Sequence, residues 1–340
     1  MPMDAGGLSM LRSRYWRAMF GFSALVCALG FSGFADGKAK FASFDPPGSV
    51  ETWPESINAS GTITGYYLDN ANVSHGFLRN ADGTIVSFDP PGSTGTEAYS
   101  INDDGSIAGN FGLGASTEGF VRSPDGAFTT FAANERAVET FAYGINSGGS
   151  VAGLWQTRSK GTAFLRTADG KIKSFKVSGG GAVAWSINAS GEIAGDYAVN
   201  DSQVDGFLRM PDGTITTFEP EGAANTQAVS INASGAIVGY TEDGANAHSF
   251  LRAADGTITV FDPFGSDNDG AIIINGKGTI LGSYYTDATH SYLRSADGTT
   301  TSFDFPGSKG TYSYGMNDKE WVTGFYLDAS FVRHGFVRIP

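Results

Sequence analysis

The chain of 340 residues is short of cysteine, of charge and of long apolar runs. Its one cysteine, Cys27, lies inside an N-terminal apolar stretch, so the rest of the chain carries no disulfide, thiolate metal ligand or catalytic thiol. Charged residues make up only 17%, and the basic ones are scarcer, 22 Lys+Arg against 35 Asp+Glu, for a net charge of -13. Such a surface repels phosphate backbones and anionic head groups, which argues against a nucleic-acid partner. No Gly-x-Ser-x-Gly elbow, phosphate loop or His-Glu-x-x-His motif is present either. What the chain does have is 48 Gly and 12 Pro, which argues against a mainly helical protein, together with 41% apolar and 13% aromatic residues. These describe a folded, turn-rich globule.

Arg12, Arg14 and Arg17 precede an apolar stretch from Ala18 to Phe34, and small residues at Gly33 and Ala35, or at Gly37 and Ala39, suit a signal peptidase. Residues 1–39 therefore read as a signal peptide cleaved after Ala35 or Ala39, and 40–340 as one mature domain, secreted to the extracellular space or the periplasm. An uncleaved anchor is the alternative. Gly21, Ser23, Gly30 and Ser32 interrupt the run, however, and it is shorter than the roughly 20 residues a span needs. The mature chain is expected to hold no membrane span.

Internal repetition dominates the remainder. An Ile-Asn or Met-Asn pair recurs with its Asn at Asn58, Asn102, Asn146, Asn188, Asn232, Asn275 and Asn317, spaced by 42 to 44 residues. Seven residues after each comes a glycine, from Gly65 to Gly324. An aromatic-aliphatic-Arg triplet follows, ending at Arg79, Arg122, Arg166, Arg209, Arg252, Arg294 and Arg338, and six copies continue into an Asp-Gly turn and a Phe. Each copy contains four short β-prone runs, A to D, with A–B and C–D joined by hairpin signals. Seven four-stranded antiparallel units of this length predict an all-β, seven-bladed β-propeller. The last copy stops after its strand C, whereas the mature N-terminus begins with a lone strand D at Phe41–Asp45, so this N-terminal strand is expected to complete the C-terminal blade and close the ring. A β-solenoid, the competing fold, needs no such exchange.

The fixed positions have structural explanations. The strand B glycines read as places where a neighbouring blade's aromatic lies against bare backbone, the partners being the aromatics two residues later, such as Tyr67 and Trp155. The seven arginines and the turn aspartates read as a repeated ion pair or hydrogen-bonded corner. The pattern of polar residue, small residue, Phe, aliphatic, Arg and Asp-Gly, followed by Ile-Asn-x-x-Gly and Ile-x-Gly, resembles the HAF repeat of extracellular bacterial proteins. The name-giving triplet stands here as His75-Gly76-Phe77, His248-Ser249-Phe250, His290-Ser291-Tyr292 and His334-Gly335-Phe336. The resemblance implies an exported repeat protein and supplies no catalytic residues. The other copies begin the triplet with Glu118, Thr162 and Asp205, so the histidine is optional. All four histidines of the protein share this slot, and a metal ring through them is disfavoured. Strand C lies about 9 to 10 Å outward of strand A, so successive copies diverge.

Length varies only between strands B and C and between strand D and the next A. Those loops emerge on one end of each antiparallel blade, which makes that end the expected binding face. Entering strand A, five residues before each Asn, stand Trp53, Glu97, Phe141, Val183, Gln227, Gly270 and Tyr312, with no shared chemistry. Of these, Trp53, Glu97, Phe141, Gln227 and Tyr312 are the expected ligand contacts at the mouth of a central channel. Two positions later, Glu55, Tyr99, Tyr143, Trp185, Val229, Ile272 and Tyr314 read as packing between blades. Asp267-Asn268-Asp269-Gly270 is a weak Ca2+ candidate through Asp267 and Asp269, since it lacks the full EF-hand series; otherwise no metal, cofactor or catalytic residue is assigned. The functional expectation is a secreted module that binds a protein or glycan. Two alternatives are a carbohydrate-active lyase or hydrolase on the same face, using acids and His such as Glu97, Glu139, Glu242 and His248, and a structural protein of the envelope or matrix.

Overall fold

A computed structural model describes residues 39–158, 160–178, 180–200 and 202–340. The expected signal peptide, apart from Ala39, and Cys27 within it lie outside the described residues. Every long element is a β-strand. The chain opens with β1 (Lys40–Phe44). It then runs through β2 (Glu51–Ile57), β3 (Ile63–Leu68), β4 (Ser74–Arg79) and β5 (Ile85–Phe88), followed by β6 (Thr96–Ile101), β7 (Ile107–Leu113), β8 (Ser116–Arg122) and β9 (Phe128–Phe131). Next come β10 (Glu139–Ile145), β11 (Val151–Gln156), β12 (Gly161–Arg166) and β13 (Ile172–Phe175), then β14 (Ala182–Ile187), β15 (Ile193–Ala198), β16 (Val204–Arg209) and β17 (Ile215–Phe218). The last three groups are β18 (Asn225–Ile231), β19 (Ile237–Glu242), β20 (Ala247–Arg252) and β21 (Ile258–Phe261); β22 (Asp269–Ile274), β23 (Ile280–Tyr285), β24 (Thr289–Arg294) and β25 (Thr300–Phe303); and β26 (Gly310–Met316), β27 (Val322–Leu327) and β28 (Arg333–Ile339).

Six sheets result, five of four strands and one of eight. Consecutive strands pair antiparallel within each group of four. The eight-stranded sheet is two such groups joined by a single parallel pairing, Glu139 opposite Thr117. β1 adds antiparallel to β28, with Phe44 opposite Gly335 and Ser43 opposite Phe336. Among the described residues no helix is long and apolar enough to cross a membrane.

Three repeated contacts explain why these residues build these sheets. The strand C aromatics Phe77, Phe120, Phe164, Phe207, Phe250, Tyr292 and Phe336 are all fully buried, each worth about 1.5–3 kcal/mol of apolar burial. These rings are also what the strand B glycines accommodate. A Cβ on Gly195 would stand 2.0 Å from the carbonyl oxygen of Val183 and 2.7 Å from the Phe207 ring of the same sheet. The partners expected from sequence, the aromatics two residues on, sit elsewhere: Tyr67, Tyr284 and Tyr326 lie against His75, His290 and His334.

The arginines meet their expectation only in part: five donate Nη1 to the backbone carbonyl of the next residue at the start of the C–D turn, as Arg79 does to Asn80 at 3.2 Å, but the expected ion pair is not formed. Among the described residues none lies in ion-pair contact with its turn aspartate; each guanidinium instead sits over the strand D Phe of the preceding group. The pairs run from Arg79 over Phe44 at 4.9 Å, through Arg122 over Phe88 and Arg166 over Phe131, to Arg338 over Phe303 at 4.8 Å. A planar, weakly hydrated cation on an aromatic face suits a half-buried seam between sheets, where a carboxylate would have to be desolvated. The turn aspartates cap their own hairpins, as Asp82 does by accepting from the Thr84 backbone N–H at 2.9 Å. There Gly83 supplies the positive φ, 93°, that the turn requires.

The third contact is carried by the repeated Asn. Its side-chain Nδ2 donates to the backbone carbonyl of the next Asn: Asn58 to Asn102 at 3.2 Å, Asn102 to Asn146 at 3.0 Å, and on through Asn188, Asn232 and Asn275 to Asn317. Asn317 in turn donates to the carbonyl of Asn58 at 2.9 Å. The Oδ1 atoms meanwhile accept backbone N–H groups of their own A–B hairpins, as Asn58 does from Ser60 and Thr62. One side chain thus fixes the turn and ties it to its neighbour.

Candidate functional site

Every innermost strand carries a β-bulge at one place. The ladder between β2 and β3 pairs Pro54 with Gly65 and then Ser56 with Thr64, passing over Glu55. The same step passes over Tyr99, Tyr143, Trp185, Val229, Ile272 and Tyr314. A bulged residue has no partner across the ladder, so its side chain is re-aimed. Here the result is an axial cavity of about 170 Å3, lined by Glu55, Tyr99, Tyr143, Trp185, Val229 and Tyr314, with Ser56, Ser100, Ser186 and Ser230 beside them. These residues were expected to pack between blades. They do touch across groups, with Tyr99 and Tyr143 at 5.5 Å and Tyr143 and Trp185 at 4.6 Å between ring centres, and they also line the cavity. Period-two counting along strand A misses this because it assumes an unbroken pleat.

The expected contact residues stand one pleat away, and none of Trp53, Glu97, Phe141, Gln227 and Tyr312 is among the cavity's lining residues. Each pairs across to a strand B residue in a different chemical setting. Trp53 stacks on Tyr66 (5.8 Å, 8°) and meets Phe325 edge-on, while Tyr312 stacks on Phe325 at 4.6 Å. Arg333 covers Trp53 at 4.6 Å and binds Glu51 at 2.9 Å. The indole Nε1 of Trp53 is buried with no hydrogen-bond partner. Around the axis the character changes. Glu97 accepts from the Tyr99 hydroxyl and from Asn110 Nδ2, and Gln227 accepts from the Tyr240 hydroxyl at 2.6 Å. Phe141 lies parallel to Tyr143 and packs with Leu154 and Val183. The acids singled out as catalytic alternatives are likewise held by amides of their own sheets, Glu139 by Gln156 and Glu242 by Asn225.

Asp196, which sequence reasoning passed over, lies in the middle of this region. It is buried, its Oδ2 accepts from Trp185 Nε1 at 2.8 Å, and burial pushes its pKa up to about 7 against the opposing effect of that hydrogen bond. Trp185 thus connects a protonatable carboxyl to the cavity wall. The signal in the sequence was a charged residue directly after an invariant strand B glycine, where the other copies carry Tyr66, Asn110, Leu154, Tyr240, Ser283 and Phe325.

None of the four histidines is among the residues lining the cavity. Each Nδ1–H donates to the acid after strand D: His75 to Asp89 at 2.8 Å, His248 to Asp262 at 2.6 Å, His290 to Asp304 at 2.8 Å and His334 to Asp45 at 2.7 Å. Their Nε2 atoms face a second acid, Asp69, Asp243, Asp287 and Asp328 in the same order, at 3.4–3.6 Å. Burial works against the charged imidazole of His75, His248 and His334, yet the paired carboxylates raise all four pKa values; for His290 the Asp304 hydrogen bond is the leading cause. The suggested Ca2+ pair does not form a unit of its own. Asp267 is exposed, while Asp269 is buried and accepts from the backbone N–H and the hydroxyl of Ser249, close to His248 and Asp262.

With this geometry in hand, the chain can be set beside known proteins. Streptogramin B lyase superposes with a TM-score of 0.60 at 14% identity, over 89% of this chain and 98% of the other. A catalytically inactive virginiamycin B lyase from Staphylococcus aureus, solved with quinupristin, gives 0.62 at 14%, over 89% and 100%. The chain has a β-propeller-type fold. Prolyl endopeptidases reach 0.63 at 14% identity, over 85% of this chain and 48% of theirs. At such identities the likeness extends to the fold alone. No protein-family model matches the chain, and no curated protein does.

Proposed function

We propose that the chain is an exported, closed seven-bladed β-propeller of the HAF-repeat kind that binds a protein or glycan ligand at the axial end where the B–C and D–A loops meet. Support for closure comes from the pairing of β1 with β28 and from the bond that returns from Asn317 to Asn58. The single observation that carries the binding reading is a contrast. The Asn bonds and the Arg-over-Phe contacts recur from unit to unit, whereas the strand A position at the axial mouth differs in every copy and the strand B position opposite it takes six residue types in seven copies. A feature copied throughout serves the scaffold; chemistry that varies around the axis supports a reading in which a ligand is placed there. The aromatic side (Trp53, Tyr66, Tyr312) offers stacking surface, and the opposite side (Glu97, Asn110, Gln227, Tyr240) offers acceptors and donors. Binding of purified protein to a glycan array, repeated with Gln227→Ala, Tyr240→Phe and Trp53→Phe, tests this. Loss in these variants with retention in Asp82→Asn, on the opposite hairpin face, supports the reading, and the reverse pattern overturns it.

A second reading, lyase or hydrolase chemistry on the same face, is favoured by one observation: the Asp196 carboxyl, which titrates near neutral pH and is held by Trp185 at the cavity wall. A general acid or base wants such a pKa. Turnover of a polysaccharide panel that disappears in Asp196→Asn while the fold persists would select it.

A further inference from the structure

Three of the four histidine corners have a threonine next to the His–Asp pair. Thr52 Oγ1 donates to Asp45 at 2.5 Å and Thr96 Oγ1 to Asp89 at 2.5 Å, and Thr311 stands in the same slot near Asp304. The slot is Thr in five copies and Ala182 in a sixth; only between β21 and β22 is it an acid, Asp269. There the threonine of the other corners, a hydroxyl donor to the paired aspartate in two of them, is replaced by a second carboxylate. Ligand atoms of His248, Asp262 and Asp269 all fall within 4.8 Å of one another. Asp269 is 3% exposed, its Oδ1 is held by Ser249, and its Oδ2 is buried with no hydrogen-bond partner. Ser249 Oγ is in turn 2.8 Å from the Tyr292 hydroxyl, so the carboxylate cannot turn to find another donor without breaking that chain.

We propose that His248, Asp262 and Asp269 form a binding site for a divalent first-row transition ion such as Zn2+ or Mn2+. Imidazole nitrogen with two carboxylates is a donor set of that class, and water would complete the coordination. Ca2+, which takes six to eight oxygen ligands, is poorly served by it. With ligand bonds of about 2.1 Å, neighbouring donors sit roughly 3.4 Å apart. The ion therefore displaces the proton between His248 and Asp262, opening their contact from 2.6 Å, and draws Asp269 Oδ2 inward. It would join β20 to β22 across the seam between two sheets, on the loop-bearing end.

Titration calorimetry with ZnCl2, and then with CaCl2, on the purified protein tests this. The expected result is one Zn2+ per chain and no comparable Ca2+ uptake. Loss of an outer partner alone typically weakens metal affinity about 10–100-fold, so removing a ligand in Asp269→Thr should weaken it at least 100-fold. Because threonine is the residue found in five sister slots, this variant is expected to fold, and its circular dichroism should match the parent. His75→Gln, in a corner that keeps its threonine, should leave uptake unchanged. Absence of stoichiometric Zn2+ binding, or binding equal in Asp269→Thr, overturns the site.

Discussion

Arg79 holds its guanidinium carbon 4.9 Å above the ring of Phe44, so a residue from the first complete group of strands rests on a strand that belongs, by pairing, to the last. Phe44 also meets Phe77 edge-on at 6.0 Å and covers Gly335, where a Cβ would stand 2.8 Å from its ring. Three parts of the chain distant in sequence therefore share one side chain.

Phe44→Ala should cost about 3 kcal/mol, the usual loss for a buried ring plus its cation contact. Urea denaturation checks this. A cost below about 1 kcal/mol would mean that β1 contributes little to holding the two ends of the domain together.

Asn317→Ala removes the donor to Asn58 and the acceptor for the Lys319 and Trp321 N–H groups. The expected destabilisation is about 2–3 kcal/mol. Asn146→Ala, which removes the equivalent bonds to Asn188 and from Ser150, should cost a similar amount. Unequal values would show that the turn-to-turn bonds do not carry equal weight.

Gly195→Ala should be among the worst single substitutions in the protein, about 3 kcal/mol or more, because the new methyl meets a backbone carbonyl that the bulge has pushed inward. Gly48→Ala, with nothing within 4 Å of the new methyl and only a positive φ of 86° against it, should cost about 1 kcal/mol. Thermal melts of the pair separate steric from conformational cost.

Stability should fall as pH rises through the neutral range. The four histidines are raised above their ordinary value, so their contribution is complete below pH 6.5 and is lost as pH climbs through the higher folded-state pKa. Asp196 has the same sign over a wider window: raised from 3.8 to about 7, it favours the fold in its protonated form and loses that advantage between those values. Asp196→Asn should therefore be more stable than the parent at pH 8, by roughly 2–4 kcal/mol, and little changed at pH 4. Denaturation midpoints measured at both pH values decide it, and a parent protein equally stable at pH 6 and pH 8 would contradict the histidine contribution too.

The strands were legible in the sequence because hairpin turns and hydrophobic alternation are local and were repeated often enough to average out irregularities. Phe41–Asp45 as a lone strand came from the same counting, and it lies within one residue of β1. What escaped was everything decided between units. Spacing placed Arg79 three residues before Asp82, but could not show that a ring from another sheet would out-compete the carboxylate. The repeated Asn was visible as a fixed position, but its two jobs, holding its own turn and reaching the next one 42 to 44 residues on, needed coordinates. At the axis, a bulge common to every strand A exchanged the roles of two candidate sets, bringing Tyr99 and Trp185 to the cavity and leaving Glu97 and Phe141 a step outside. Asp269 could be seen as an acid in a loop, but not as the replacement for a threonine beside His248.

The bulged residues have a consequence for how such a protein diversifies. A position that the ladder passes over can change its side chain without altering which backbone groups pair, so Glu55, Tyr99, Tyr143, Trp185, Val229 and Tyr314 can differ in chemistry while the strand pairing stays the same. Gene duplication that multiplied one unit would have delivered, in the same event, a set of separately adjustable positions facing a common space.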